Sequence, residues 1–560
     1  MRLFQDVRRA VLLTLCLLSA CAAADPTRGA DGPVNDSNAG NFLSGRFSLA
    51  HGDFERAADD LLRALAASPD DRELLMQAFI ACVNAGRPEA VQLARRLPGN
   101  QVAQLLLAND AAKSGDWRRA IEGFQAAPRD GVMQLLQPLL VAWAAQGAGE
   151  TDQALATLRP FFANTRFRSV VALHAGMIAD LAGRTVEAAA FFQMAEPELA
   201  TQSPRSALIL ASWHARSGRA ERGTQILRDM AAAVPETEIA LPMLLESMNR
   251  RPVSKPLEGM SEAYATFAAA LRGQETAELA MIMSRLALDV RPDSATARLM
   301  ASDVQNNARH YEAALIVLEE ASRASDPVVA LIRLRHAAVL HQLGRADEAI
   351  REVERIGRDY PDSSVPDIQL GDYLRLKQRY TDSIAAYDRA IAHSGRPRPE
   401  DWGMYYSRGI AYERTGQWTR AEADFQRALE LSPDQPSVLN YLGYAWADMG
   451  RNLDKAQDML QRAAARRPND GAIADSLGWV SFRRGKVAEA VKHIERAIGL
   501  EPQDPTITDH LGDVYWAVGR RIEAHYQWRR ALTLKPAPED AAKIQAKIKS
   551  HPNGAIASGN

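Results

Sequence analysis

Cysteine is scarce: Cys16, Cys21 and Cys82 are the only three in 560 residues, and two of them precede anything that looks like a folded domain. A disulfide framework is therefore excluded, whatever the compartment. Net charge is scarce as well, because 67 Lys and Arg nearly cancel 69 Asp and Glu. No field exists to hold a polyanion, so nucleic acid is not an expected partner. Aromatics are modest, and the one long apolar run, near the N-terminus, is too short for a comfortable membrane span. The chain is also too long for one hydrophobic core, which stops growing at roughly 250 to 300 residues. It must be several domains or a repeat array.

Catalytic signatures are lacking too. Nothing matches HExxH, GxSxG or CxxC, although eleven histidines are present. His336 and His341 are five apart without the intervening glutamate and read as ordinary helix residues. Gly478 to Lys486 resembles a phosphate loop only superficially: its glycines are separated by six residues instead of four, and Val487 stands where Ser or Thr is needed. Paired carboxylates are common but read as solvated helix faces with i, i+4 support. No catalytic residue, cofactor or metal is expected, and the chain is expected not to be an enzyme.

Residues 1–21 have the layout of an export signal: Arg2, Arg8 and Arg9, then an apolar run from Ala10 to Leu18 ending in small residues. Leu18, Ser19, Ala20 and Cys21 resemble the lipobox of bacterial lipoproteins. That resemblance implies cleavage before Cys21 and acylation of its thiol, a stable anchor without a spanning helix once more than one chain is attached. A plain secretory signal and a soluble periplasmic protein is the alternative. By the same analogy, Ala22 in place of aspartate points to the periplasmic side of the outer membrane. Residues 22–40, rich in Ala, Asp, Gly and Asn, read as a flexible tether.

What the chain has in abundance is self-similarity. Tyr405, Gly409, Tyr412, Ala421, Phe425, Ala428 and Pro433 form one unit. Leu442, Gly443, Ala456, Leu460, Ala463 and Pro468 form the next, with one extra residue in its turn. Then come Leu477, Gly478, Ala490, Ile494, Ala497 and Pro502, and after them Leu511, Gly512, Tyr515, Ala524, Trp528, Ala531 and Pro536. These offsets match the tetratricopeptide repeat (TPR), and the family resemblance implies an all-α solenoid of helix pairs, wound as a right-handed superhelix. The small residues let two antiparallel helices approach, the large one fills space towards the next unit, and proline stops the second helix.

Weaker copies extend upstream, marked by Ala349 and Pro361, by Gly371, Tyr387 and Ala390, by Gly176, Ala188 and Phe192, and by Gly45, Ala57 and Ala64. About fourteen units are expected in two segments, a degenerate N-terminal array over 38–235 and a C-terminal array over 261–536. Residues 236–260, containing Arg250, Arg251, Pro252 and Pro256, are expected to be an irregular linker or hinge. Residues 537–560 are expected to be a solvating cap helix and a disordered tail.

In such an array the first helix of each unit lines the concave face, where partners bind. In the C-terminal units the inward positions carry Tyr406, Glu413, Asn440, Tyr441, Tyr444, Asp475, Trp479, Phe482, Asp509, Asp513 and Trp516. Aromatics offer rigid apolar area and Asn or Asp can bond an extended backbone, which points to a peptide groove. Packing between helices is the competing fate for each aromatic. Lys, Asn and Arg positions of a carboxylate clamp are replaced by Asp and aromatics, so chaperone C-termini are disfavoured ligands.

The run from Asp475, Ser476, Leu477, Gly478 and Trp479 to Asp509, His510, Leu511, Gly512 and Asp513 resembles large TPR lipoproteins of Gram-negative bacteria. Members include the adaptor lipoprotein of a periplasmic carboxy-terminal processing protease, which brings peptidoglycan hydrolases to that protease. The resemblance implies a non-catalytic adaptor that binds other envelope proteins and holds them at the membrane through its lipid. The alternatives are a structural scaffold of an outer-membrane assembly such as exopolysaccharide secretion, and a cytoplasmic cochaperone if the first 21 residues are retained.

Overall fold

The computed structural model describes residues 38–129, 131–163, 167–271, 276–321 and 326–551. The expected signal, Cys21, the tether up to residue 37 and the tail from residue 552 lie outside them. Among the described residues there are thirty α-helices and no strand. They run in sequence as fourteen two-helix units, six before residue 235 and eight from residue 256, with helix Leu241–Ser247 between and helix Pro538–Ser550 at the end. This agrees with the all-α helix-pair array expected from the spacing.

The chain divides into two compact units, Met1–Ala81 and Cys82–Asn560. In the first, helices Asn38–Ala50 and Phe54–Ala67 pair through Ala57, Leu61 and Ala64, all fully buried. Asp53 starts the second of these by accepting from the Arg56 amide at 3.2 Å.

The second unit shows why the repeat spacing has its form. A Cβ on Gly409 would lie 2.7 Å from the Phe425 ring, one on Gly478 would lie 2.4 Å from Ile494, and one on Gly512 would lie 2.4 Å from Trp528. The same clash recurs at Gly176 with Phe192 and at Gly371 with Tyr387. The large residue sixteen positions on thus sits over the glycine of its own unit, where the sequence predicts that it fills space towards the next. Phe425 and Tyr387 are fully buried, and each such ring contributes on the order of 1.5–3 kcal/mol. The second helices end at Leu431, Arg466, Leu500 and Thr533, two or three residues before Pro433, Pro468, Pro502 and Pro536. Turns between paired helices use left-handed Gly416, Gly485 and Gly519; the unit with the extra residue has Gly450 there at φ 68° and adds Asn452 at φ 48°. An arginine from the second helix of each following unit clamps the proline carbonyl: Arg462 on Pro433 at 2.7 Å, Arg496 on Pro468 at 2.5 Å and Arg530 on Pro502 at 2.6 Å.

Where the sequence predicts an irregular linker over 236–260, the structure is largely helical and firmly held. Pro235–Ala240 is a 3₁₀ turn, Leu241–Ser247 an α-helix, and Pro256 opens the helix Pro256–Ala270. Pro235 and Pro256 fall at N-terminal helix positions, where a missing N–H costs nothing, and Pro252 lies in the short stretch before the second. The stretch between is pinned to the N-terminal repeats: Ser212 donates to the Arg250 carbonyl at 2.7 Å, Arg205 to the Pro252 carbonyl at 2.9 Å, and Arg251 to Asp180 at 3.1 Å.

Beyond that stretch the chain folds back on itself. Helix Pro256–Ala270 packs on Met133–Gly147, with Gly259 against the indole of the fully buried Trp143. Trp143 in turn donates to His174 Nδ1 at 3.0 Å, and burial pushes the His174 pKa down to about 3, so the imidazole is a neutral acceptor. Tyr264 donates to Asn109 at 3.0 Å, and Asn109 and Lys113 both donate to Asp289, at 3.2 and 2.6 Å. Nothing in a 34-residue spacing announces these contacts.

Candidate functional site

The inward residues of the C-terminal units fall into three groups. Tyr406 and Tyr441 meet edge-on at 5.9 Å, Tyr441 lies 5.1 Å from Phe425, and its hydroxyl donates to Glu413 at 3.3 Å. These rings pack the first helices Trp402–Arg414 and Pro436–Asp448 together. In the second group Trp479 stacks on His510 at 4.1 Å, beside Phe482 at 5.3 Å, while Tyr444 lies 6.2 Å from His510. His510 Nδ1 is 2.8 Å from Asp475 Oδ2. Burial works against a charged His510, but the Asp475 carboxylate outweighs it, helped by Asp513 and Asp509, and the pKa is raised. Both groups are packing between neighbouring first helices, and Trp479 is only 9% exposed. Asn440 stands apart from them, half-buried, its Oδ1 without a protein partner among the described residues.

The third group is met by the terminal helix Pro538–Ser550. Lys547 donates to Asp509 and to Asp513, each at 2.7 Å, and Trp528 donates to Asp513 at 2.9 Å. Trp516 has His551 edge-on at 4.6 Å. Burial raises the Asp509 pKa, with neighbouring Asp513 adding to it against the pull of Lys547. The inward residues predicted to form a groove therefore do not form one open groove.

The open space lies upstream, in a cavity of about 1380 Å³. Five consecutive first helices line it: Pro256–Ala270, Ala295–Asn307, Val329–Gln342, Ser364–Leu376 and Trp402–Arg414. The 3₁₀ turn Pro235–Ala240 closes one side, anchored by Ile239, which is buried with Ala330, Leu334 and Ile356. Apolar wall comes from Leu299, Met300, Val304, Leu331, Val365, Ile368 and Met404. Polar groups are set among them: Arg335 bridges Asp303 at 3.2 Å and Glu236 at 3.7 Å, and Arg398 meets Asp401 at 3.3 Å, Glu400 at 3.6 Å and Glu238 at 3.7 Å. Gln369 donates to the Tyr373 hydroxyl at 2.6 Å, and burial pushes that phenol up to about 12. The wall is thus apolar with fixed, paired charges set into it.

Sequence reasoning missed this cavity by looking at the repeats that match best. The signal was present in weaker copies: Leu331, Arg335 and Ala338, like Val365, Ile368, Gln369 and Asp372, recur at helical spacing on one face. No group of three or more His, Cys, Asp or Glu placed to hold a metal occurs among the described residues. His336 and His341 go separate ways, the first 3.9 Å from Glu319 and the second stacked on Tyr373 at 4.5 Å. Among the described residues no helix is long and apolar enough to cross a membrane.

Comparison with known proteins agrees with this geometry. Residues 368–436 and 442–505 match the family described as tetratricopeptide repeat, and residues 253–400 the one described as tetratricopeptide repeat-like domain. A TPR repeat-containing protein of Pseudomonas aeruginosa is 30% identical over 162 residues, 29% of this chain and 27% of that protein. The Hsp70-Hsp90 organizing protein of Triticum aestivum is 24% identical over 173 residues, 30% of this chain and 27% of that protein. The chain thus matches about a quarter of the length of these curated relatives. Among solved structures, the APC/C hetero-tetramer Cut9-Hcn1 superposes with a TM-score of 0.38 and 14% identity, over 91% of this chain and 96% of that one. Residues 253–436 and 442–505 thus carry the matched tetratricopeptide repeats, and the large side chain packed over each of Gly371, Gly409 and Gly478 agrees with that match.

Proposed function

We propose that the chain is a non-catalytic scaffold that holds segments of other proteins in the central cavity. The observation that carries this is the cavity's wall: five consecutive first helices present apolar side chains with paired arginines between them. Such a wall gives contact area and orientation but no group poised to attack or to shuttle protons. Photo-crosslinking tests it, with one crosslinker at Ile368 in the wall and another at Tyr526, which is 65% exposed on the last second helix. Partners captured from Ile368 and not from Tyr526 support the cavity; the same partners from both positions sink it.

The finer reading is an envelope adaptor. The lipobox-like Leu18 to Cys21 supports an acyl anchor on the outer membrane's periplasmic side, and the Asp475–Asp513 run supports the protease-adaptor group. On this reading the scaffold raises the effective concentration of a carboxy-terminal processing protease and its peptidoglycan hydrolase substrates. Recovery of those proteins from detergent-solubilised envelopes, with a diacylated N-terminal Cys21 by intact mass, is the expected result. Recovery of polysaccharide-export components transfers the reading to an assembly scaffold.

A further inference from the structure

The terminal helix sits on the inward side of the last repeat by an attachment unlike the repeat packing. Of its thirteen residues only Ile544 is buried, with Ile548 packed partly beside it. Beyond that it is held by Lys547 on Asp509 and Asp513, at 2.7 Å each, and by its capping residue His551, whose ring lies edge-on to Trp516 at 4.6 Å and whose carbonyl meets His525 Nε2. The charges at its other end reach towards the first helices two and three units back, Asp540 acting on Tyr444 and Glu539 on Arg414. The connector before it is strained at Lys535, a non-glycine residue at φ 56°, and its N-terminus has no side-chain cap. Asp509, which takes one of the Lys547 bonds through Oδ2, has its Oδ1 buried with no partner among the described residues.

We propose that the inner side of helix Pro505–Ala517 is a binding site for a helix that presents a lysine with branched apolar residues three before and one after it. The chain's own Ile544, Lys547 and Ile548 fill that site in this structure, and a partner helix with the same signature exchanges with them. The lysine meets both carboxylates at once, which selects a cation, and the isoleucines cover the apolar edge around Trp516 and Trp528. This goes beyond the scaffold reading and does not depend on the central cavity.

The test uses the full chain and a fluorescein-labelled synthetic peptide of residues 537–551. In Lys547→Glu the resident helix faces two carboxylates with a third and lifts. Fluorescence anisotropy is expected to show the peptide binding that variant about tenfold more tightly than the wild type, and a peptide carrying Lys547→Glu binding neither. Hydrogen exchange on the wild type gives a second reading that no folding defect can disturb: amides of 541–550 are expected to exchange at least about tenfold faster than those of 524–533. Equal peptide affinity for the two chains, or a terminal helix protected as well as Arg521–Thr533, overturns the proposal and makes the helix a permanent cap.

Discussion

Gly259→Ala is the sharpest probe of the fold-back between helices Pro256–Ala270 and Met133–Gly147. The added Cβ would stand 2.2 Å from Trp143 Cε2 and 2.3 Å from Cδ2 and Cζ2. Ordinary carbon contacts are about 3.5–4.0 Å, so one helix must retreat by more than about 1 Å. The indole cannot give way, since it is fully buried and its N–H is committed to His174 at 3.0 Å. Overpacking of this kind costs up to about 3 kcal/mol. Exchanging glycine for alanine within a helix returns about 1 kcal/mol, leaving a net destabilisation of about 2 kcal/mol. Gly499→Ala is the control, because nothing lies within 4 Å of its Cβ position on the exposed side of helix Val487–Leu500; it should stabilise by up to about 1 kcal/mol. Urea denaturation followed by circular dichroism reads both, with hydrogen exchange of 133–147 and 256–270 locating the loss. Two variants shifting in the same direction would refute the reasoning.

Other substitutions test other layers. Tyr264→Phe removes the donor to Asn109 and strands a fully buried amide oxygen, so it should cost about 1–3 kcal/mol in the same denaturation assay. The His510 pKa is raised in the folded state, so its contribution is complete below the unfolded value of about 6.5 and fades as pH rises through the folded one. Stability measured from pH 6 to 9 should therefore fall in the wild type relative to His510→Gln; parallel curves would remove the Asp475 pairing as the cause. Arg335→Glu places a carboxylate against Asp303 and Glu236 in the cavity wall and should abolish partner capture at Ile368 while leaving the helical signal unchanged.

The repeat frame was legible because its cause is local. A glycine and a large residue sixteen apart must face each other across one helix pair, as Gly409 faces Phe425, and a proline after the second helix marks each unit's end. Groove residues were less legible because one helical face serves both packing and binding: Trp479 and Tyr441 have the right spacing for either, and only the positions of His510 and Phe425 decide. The prolines at 252 and 256 pointed to a break, and Pro256 does start a new helix, with Pro252 in the short stretch before it. Their anchoring through Arg205, Ser212 and Asp180 is tertiary and leaves no periodic trace. The cavity lay mostly in units whose repeat pattern is weaker than that of the last four, where residues facing the open space are released from pattern.

The contacts from Asn109 to Tyr264 and to Asp289 join residues 155 and 180 positions apart. A repeat array with only neighbour contacts can nucleate anywhere and grow like a zipper, each unit stabilised by the last. Here the units around residues 101–158 stay incomplete until helices 256–270 and 277–290 have been synthesised and have come back to cover them. Closing so long a loop before any contact is gained slows folding. A ribosome-bound chain ending near residue 235 should therefore present the Trp143 face uncovered, a stretch of synthesis during which the nascent protein depends on holdase chaperones.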